Sequence, residues 1–425
     1  MIAILLVLYF IFPQFSTPEW KFFRQGGIFL KTVGIICEYN PLHLGHKKQM
    51  DLLRNRFGAD CAIVCLMSGN YVQRGAPAIV DKQLRAKAAL LSGADLVLEL
   101  PVTCALSSAE GFARGGVEIL GKVCDYLCFG AETADEAALI GTAKALLSDT
   151  FPPLLRAQLD TGKSFPAARA AALNQMGLDS SLVESPNNIL AVEYCKAILA
   201  TGCAMTPLPI LREGGYHDEI PDPENPSATA VRQLMLQTNR RLPHQSADWF
   251  AMTEYLTYIP VETHPVFAEA SLHSIAAGER AILLKLRTMT DGEFEALPYG
   301  SEGLWRKFMH ASRSCATLEE IIAATKSKRY TRTRIDRMVM CAFLGITKDM
   351  LEEKAPYVRC LALNDRGRTV LKQLKQHMPC INPGEAVDHP YWHLEKRCGD
   401  LYGLFCTDGP DAPGREEKSR IFYKV

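Results

Sequence analysis

Two histidines three residues apart, His43 and His46, stand in the stretch ICEYNPLHLGHKK, which runs from Ile36 to Lys48 behind an apolar run and an Asn-Pro pair. On the first turn of a helix, residues three apart share a face, so both imidazoles point the same way. A helix start has free N–H groups and a partial positive charge, which suits phosphate. Gly45 lacks a Cβ and lets a phosphate or flat ring approach the backbone. Pro41 ends the preceding strand. Together these features read as a cradle for a triphosphate, with the imidazoles donating to the α–β bridge where charge grows as pyrophosphate leaves. The same pattern fits two ordinary histidines at a helix start; its place at a first strand-to-helix turn favours the cradle. For a metal pair, Glu38 is the one other clear ligand nearby and no Cys/His pair completes a set. No protein-bound metal is expected.

Elements of alternating type must hold that turn. TVGIIC reads as a strand, LGHKKQMDLLRNRFG as a helix ended by Gly58, and CAIVCLM as a second strand. A Gly-bearing polar loop (Ser68–Ile79) follows, then a helix with Asp81 as its N-cap. ADLVLELP, a helix through SSAEGFARGGVEILGKV, and CDYLCFGAE complete the series, and MTPLPILR is a candidate fifth strand. Strand and helix alternating at this spacing predict an α/β fold, a Rossmann-like doubly wound parallel sheet. In such sheets ligands bind beyond the carboxyl ends of the strands. Three strand-end loops, Glu38–His46, Ser68–Pro77 and Gly130–Glu132, are expected to converge there. After a seam near 238–248 the chain reads as a mostly α-helical C-terminal domain. The expected division is therefore 1–30, 31–245 and 246–425.

A chain of 425 residues exceeds one ordinary domain. Lys+Arg and Asp+Glu number 47 each, so net charge points to no nucleic-acid partner and any basic patch must be local. One candidate is KSKRYTRTRIDR, where Lys326, Lys328, Arg329, Arg332, Arg334 and Arg337 could track phosphates; a solvated basic face has the same composition. The fourteen cysteines include no CxxC and several lie in apolar runs, which suits reduced thiols in a cytoplasmic protein. The apolar run Ile2–Phe12 falls short of the about 20 residues a spanning helix needs. Its flanks are not those of a signal peptide. Two readings compete, an uncleaved membrane-associating segment and a start site placed too far upstream; the strand that begins at Val33 favours the second, with no membrane partner expected.

SATAVR, from Ser227 to Arg232, resembles the second phosphate motif of the HIGH-type nucleotidyltransferases. Ser227 and Thr229 offer hydroxyls at a helix start and Arg232 a charge. The usual lysine is absent, with Ala230 in its place, so phosphate contact leans on Arg232 or Arg212. The larger set is similar to one family, the bacterial tRNA(Met) cytidine acetate ligases. The resemblance rests on VGIICEYNPLHLGH, MSGNYVQRGAPAIVDK, GADLVLELP, CFGAE, SPNNILAVEYCKAI, REGGYHD and SATAVR in order, and on KRYTRTRIDRMVM and LNDRGRTVLKQLK in the second half.

That resemblance implies an enzyme that activates acetate with ATP and Mg2+ as acetyl-adenylate. It then acetylates N4 of the wobble cytidine of elongator tRNA(Met), without acetyl-CoA. It implies an ATP site formed by Ile36, Cys37, Glu38, Tyr39, Asn40, Pro41, Leu42, His43, Leu44, Gly45, His46, Lys47, Lys48 and Gln49, with Gly130, Asn187 or Asn188, and Arg212 with Glu213. Ser68, Asn70, Gln73 and Arg74 are the candidates for holding acetate or the adenylate carbonyl. Asn187 and Asn188 equally fit helix capping, and the Ser68–Arg74 segment an ordinary structured loop. Two other functions remain open: an adenylyltransferase acting on a small phosphate or carboxylate, and a non-catalytic RNA-binding protein. The basic second half is surplus to the first, and intact His43, Gly45 and His46 disfavour the second.

Overall fold

The computed structural model describes residues 30–212, 226–239, 254–268, 270–382, 384–385 and 387–424. Almost all of the N-terminal extension, and Glu213, lie outside these residues. Strand β1 (Thr32–Cys37) pairs in parallel with β2 (Ala62–Ser68) on one side and β6 (Tyr126–Ala131) on the other. β2 pairs with β5 (Leu96–Leu100), and β6 with β7 (Thr206–Leu211), again in parallel. The order β5-β2-β1-β6-β7 reverses direction of growth between β1 and β6, and that switch point is where a doubly wound sheet leaves a crevice. β2 is buried at every position, as a strand covered on both faces must be.

The helices start where the sequence says. α1 (Leu44–Phe57) follows β1 and buries Met50 and Leu53. α2 (Lys82–Leu91) is capped by Asp81, whose carboxylate accepts from the Gln83 N–H. α3 (Ala109–Leu120) precedes β6, and α4 (Pro186–Thr201) precedes β7. α5 (Ala228–Asn239) begins at Ser227, whose Oγ accepts from the Ala230 N–H at 3.1 Å. The loop after β2 folds into a small hairpin, β3 (Tyr71–Val72) against β4 (Ala76–Pro77).

The second half differs from the helical expectation in one respect. It is rich in helices, among them α6 (Arg332–Leu344) and α7 (Pro390–Tyr402), but it also supplies three strands to the main sheet. β8 (Val358–Leu363) lies antiparallel against β5, with β9 (Cys380–Ile381) and β10 (Phe422–Tyr423) parallel to β8. The sheet is therefore parallel at its centre and mixed at this edge. β8, VRCLAL, is a short apolar run, and such a run carries no period that separates a buried strand from a buried helix segment. All fourteen cysteines are free thiols.

Candidate active site

A cavity of about 550 Å³ opens at the carboxyl ends of β1 and β6. Its geometry is set first by the start of α1. His43 is the N-cap in extended conformation, and its Nδ1 accepts from the Gly45 N–H at 3.2 Å. His46 replies: its Nδ1 accepts from the His43 N–H at 3.3 Å. This reciprocal cap uses imidazoles where a Ser and a Glu usually stand. Because both Nδ1 atoms accept, both Nε2 atoms carry the hydrogen in the neutral rings. The rings stack with centroids 3.7 Å apart, and Tyr39 meets His46 edge-on at 4.9 Å. The buried His43 Nε2 makes no hydrogen bond. Two N–H donors thus stand side by side at the cavity wall.

Burial pushes the His43 imidazole well below its ordinary range, and His46, Arg212 and Arg232 push it the same way. Burial and Arg212 lower His46 to about 3. Both rings therefore stay neutral near pH 7 and donate without titrating. The unfolded chain takes up protons at these histidines below about pH 6.5, whereas the folded chain does not. Stability consequently falls as pH drops from about 6.5 toward 3. The melting temperature of the natural protein is expected to fall on acidification from pH 7 to pH 5 more steeply than that of a His46→Asn variant, as scanning calorimetry at several pH values will show.

The rest of the wall is cationic and amide-rich. Arg232 donates from Nη1 to the Asn40 carbonyl at 2.6 Å and from Nη2 to Thr229 Oγ1 at 3.0 Å. Burial lowers it to about 10, so it keeps its charge. Arg212 donates to Asn187 Oδ1 at 3.3 Å. Asn187 is held in turn by Glu132, which accepts from the Asn187 Nδ2 at 2.8 Å and from the N–H groups of Asn187 and Asn188 at 3.2 and 2.6 Å. Glu132 therefore caps α4 from the end of β6, a role no residue next to the helix plays. Across the cavity, the Glu38 carboxylate accepts from the Gln73 N–H at 2.7 Å, which ties the hairpin loop to the end of β1.

The structure sorts the expected site residues. Ile36, Cys37, Glu38, Tyr39, Asn40, His43, Gly45, His46, Lys48, Gln49, Gly130, Asn187, Arg212, Ser227, Thr229 and Arg232 line the cavity, as do Gln73 and Arg74. Pro41, Leu42, Leu44 and Lys47 do not. Leu42 is fully buried in the core, and Lys47 pairs with Asp51 along α1. Asn188 turns away: its Oδ1 accepts from the Thr133 N–H, so it ties α4 to the loop after β6 rather than facing the cavity. Ser68 is fully buried in β2, and Asn70 accepts from the Lys82 N–H and faces a separate small cavity. Phe112, Phe129, Leu190 and Tyr194 form an apolar wall that motif reading did not single out; apolar residues at strand ends and helix faces carry no mark distinguishing a pocket from core.

Gly130 sits on this wall with open space before it, since a Cβ built there meets nothing within 4 Å. Its backbone suits any β residue, so Gly130→Val is expected to fold with unchanged melting temperature. The added branches fill cavity volume, and the KM for ATP is expected to rise at least about tenfold, ~1.4 kcal/mol of binding. Steady-state kinetics and a thermal melt check both halves.

Half of the basic run, Arg332, Arg334 and Arg337, sits on α6 and half just before it, and the run is less free than its composition suggests. Lys326 and Lys328 are exposed. Arg329 pairs with Glu302 and Arg332 with Glu319 at the surface. Arg334 donates to the Tyr299 carbonyl and lies over the Tyr330 ring. Arg337 stacks over Tyr299 and its Nη1 reaches the Gln73 carbonyl at 3.5 Å. The second half thereby braces the hairpin that walls the cavity. Gly75 makes the contact close, for a Cβ there would lie 2.4 Å from the Arg337 backbone nitrogen.

The geometry can be set beside known proteins. Residues 30–415 match the model of the HIGH Nucleotidyl Transferase family. The tRNA(Met) cytidine acetate ligase of Acetivibrio thermocellus is 36% identical over 368 residues, covering 82% of this chain and 86% of that protein. The chain belongs to the tRNA(Met) cytidine acetate ligase family within the HIGH nucleotidyl transferases. The ligase of Bacillus subtilis is 32% identical over 411 residues, 88% of this chain and 92% of that one. Among solved structures, Thermotoga maritima TmcAL superposes with a TM-score of 0.82 at 27% identity, covering 93% of this chain and all of the other. A second crystal form of it, bound with alpha-thio ATP, gives 0.79 over the same share. The sequence motifs and the doubly wound fold agree with this membership. No helix among the described residues is long and apolar enough to cross a membrane.

Proposed function

We propose that this chain joins acetate to the wobble cytidine of elongator tRNA(Met) at the expense of ATP. In the first step an acetate oxygen attacks the α-phosphorus, the α–β bridging bond breaks, and pyrophosphate leaves with the charge. In the second, N4 of the cytidine attacks the acetyl carbon, AMP leaves, the amine loses one proton, and the product is N4-acetylcytidine. The observation that carries the reading is the pair of neutral Nε2–H donors of His43 and His46, side by side at a switch-point cavity whose wall also holds Arg212 and Arg232. Donors fixed before reaction cost no reorganisation when charge develops on the leaving oxygen.

Arg212, oriented by its bond to Asn187, holds phosphate, and Arg232 with Ser227 and Thr229 supplies the second phosphate contact. Mg2+ enters with ATP as part of the co-substrate. Gln73 and Arg74, on the hairpin tied to Glu38, face the same space and suit the carboxylate of acetate. The adenylate carries its own activation, so acetyl-CoA has no place in the scheme. The aromatic N4 amine is a weak nucleophile, and its positioning against the mixed anhydride supplies much of the rate. The tRNA approaches over the start of α6 and the segment before it, where Lys326 and Lys328 are exposed and phosphates can replace the surface carboxylate partners of Arg329 and Arg332. The reaction belongs in the cytoplasm, where ATP and tRNA meet. Acetate-dependent ATP–pyrophosphate exchange tests the first step: exchange that appears only with acetate supports the reading, and exchange independent of acetate overturns it.

A further inference from the structure

A second cluster of ligating side chains lies away from the nucleotide cavity, and nothing in the proposed reaction uses it. His273 and Cys406 face each other across an isolated antiparallel bridge, where the chain entering the helix Ile275–Thr288 meets the turn that follows α7. Both are buried, His273 with 2% of its surface exposed. The His273 ring stacks on Tyr402 at 4.0 Å and 16°, and the Tyr402 hydroxyl is anchored to the Ala78 carbonyl. That ring is therefore held in place, yet its Nδ1 makes no hydrogen bond and its Nε2 faces the Asp411 carboxylate at 3.4 Å without a well-formed one. A buried polar atom left unpaired costs about 1–3 kcal/mol, so a fixed imidazole with one bare nitrogen and one loosely paired points to a missing partner.

The third member is Asp411. One of its carboxylate oxygens lies 3.4 Å from His273 Nε2, and the imidazole, thiol and carboxylate donor atoms all fall within 4.8 Å of one another. Ligands about 2.0–2.1 Å from a tetrahedral zinc ion stand about 3.4 Å apart, so the His–Asp spacing already matches. One nitrogen, one sulfur and one oxygen donor form a set that suits Zn2+ and is too soft for Mg2+ or Ca2+. We propose that His273, Cys406 and Asp411 form a zinc site that fastens the C-terminal segment to the body of the fold.

Binding releases the thiol proton to solvent and leaves thiolate and carboxylate to balance the ion. Arg415, which pairs with Asp411 at 2.7 Å and is 42% exposed at its side chain, turns outward as the ion takes its place. Three protein ligands leave a fourth position for water. The site is structural in effect. The segment it fastens continues into the short helix Arg415–Lys418, whose Glu416 enters the buried ion network beneath β8. These three residues are far apart in the chain and fit no spacing motif, so no sequence pattern marks them.

The test titrates the full-length chain with Co2+ and then with Zn2+. The expected result is one equivalent of Co2+ giving tetrahedral ligand-field bands and a thiolate charge-transfer band, both removed by Zn2+. Cys406→Ser is expected to abolish the charge-transfer band, and Asp411→Asn, a change at a partly exposed side chain, to weaken Zn2+ at least about tenfold. Cys315→Ser, at a half-buried thiol elsewhere, is expected to change nothing. If Cys406→Ser does not fold, the Asp411→Asn affinity decides. The proposal is overturned if the natural chain shows no charge-transfer band, if the band survives in Cys406→Ser, or if Asp411→Asn binds Zn2+ as tightly as the natural chain.

Discussion

Asparagine at His43 or at His46 is expected to slow acetate-dependent ATP–pyrophosphate exchange by about 10²–10³-fold, the range found when one preorganised donor to a developing charge is removed. The choice of asparagine matters. Its amide oxygen takes the place of Nδ1, which in both histidines is the cap acceptor. The start of α1 is thereby kept and only the Nε2–H is lost. A melt within a few degrees of the natural protein and undiminished tRNA retention on a filter accompany the loss of exchange. Alanine at both sites removes cap and donors together, costs about 1 kcal/mol for the cap as well, and is the less informative variant. Exchange at the natural rate in His43→Asn would show that the unpartnered Nε2 has no part in the chemistry.

The second large effect is on stability. Five ionisable side chains meet in the core where the two halves of the chain join. Lys82 on α2 lies 2.8 Å from Glu99 on β5 and 2.6 Å from Glu416. Arg359 on β8 lies 2.6 Å from Glu416 and 3.7 Å from both Glu99 and Glu395. Tyr357 donates to Glu395 at 2.8 Å. Burial, with Glu99 beside it, raises Glu395 to about 7, which limits the excess negative charge near neutrality. Removing one cation leaves two buried carboxylates with half their compensation. Arg359→Met is expected to cost about 3–5 kcal/mol, read from urea unfolding as a lower midpoint. The loss is shared by both halves of the chain, because the network is built from both. A midpoint within 1 kcal/mol of the natural protein would mean that the network contributes little.

The central sheet was legible because parallel strands covered on both faces read as unbroken apolar runs and their helices as 3.6-residue patterns. The α1 cap shows the limit. Spacing placed both imidazoles on one face, but the reciprocal Nδ1 bonds that orient the Nε2 donors depend on backbone angles. Ser68 and Asn70 looked like site residues since polar side chains after a strand often are. Here the chain turns inward, and they are spent on the core and on the start of α2. Glu132 was visible in CFGAE, yet its task is defined by α4, which arrives more than fifty residues later. The strand β8 and the carboxylates around Arg359 are long-range features, and no local period records them.

Incubation with ATP, labelled acetate and unmodified elongator tRNA(Met), in the absence of acetyl-CoA, tests the central claim most directly. The account predicts label in the tRNA, recovered as N4-acetylcytidine at the wobble position and lost when that cytidine is replaced. Acetate-dependent exchange with no label in tRNA would contradict it and assign the cavity to another acceptor.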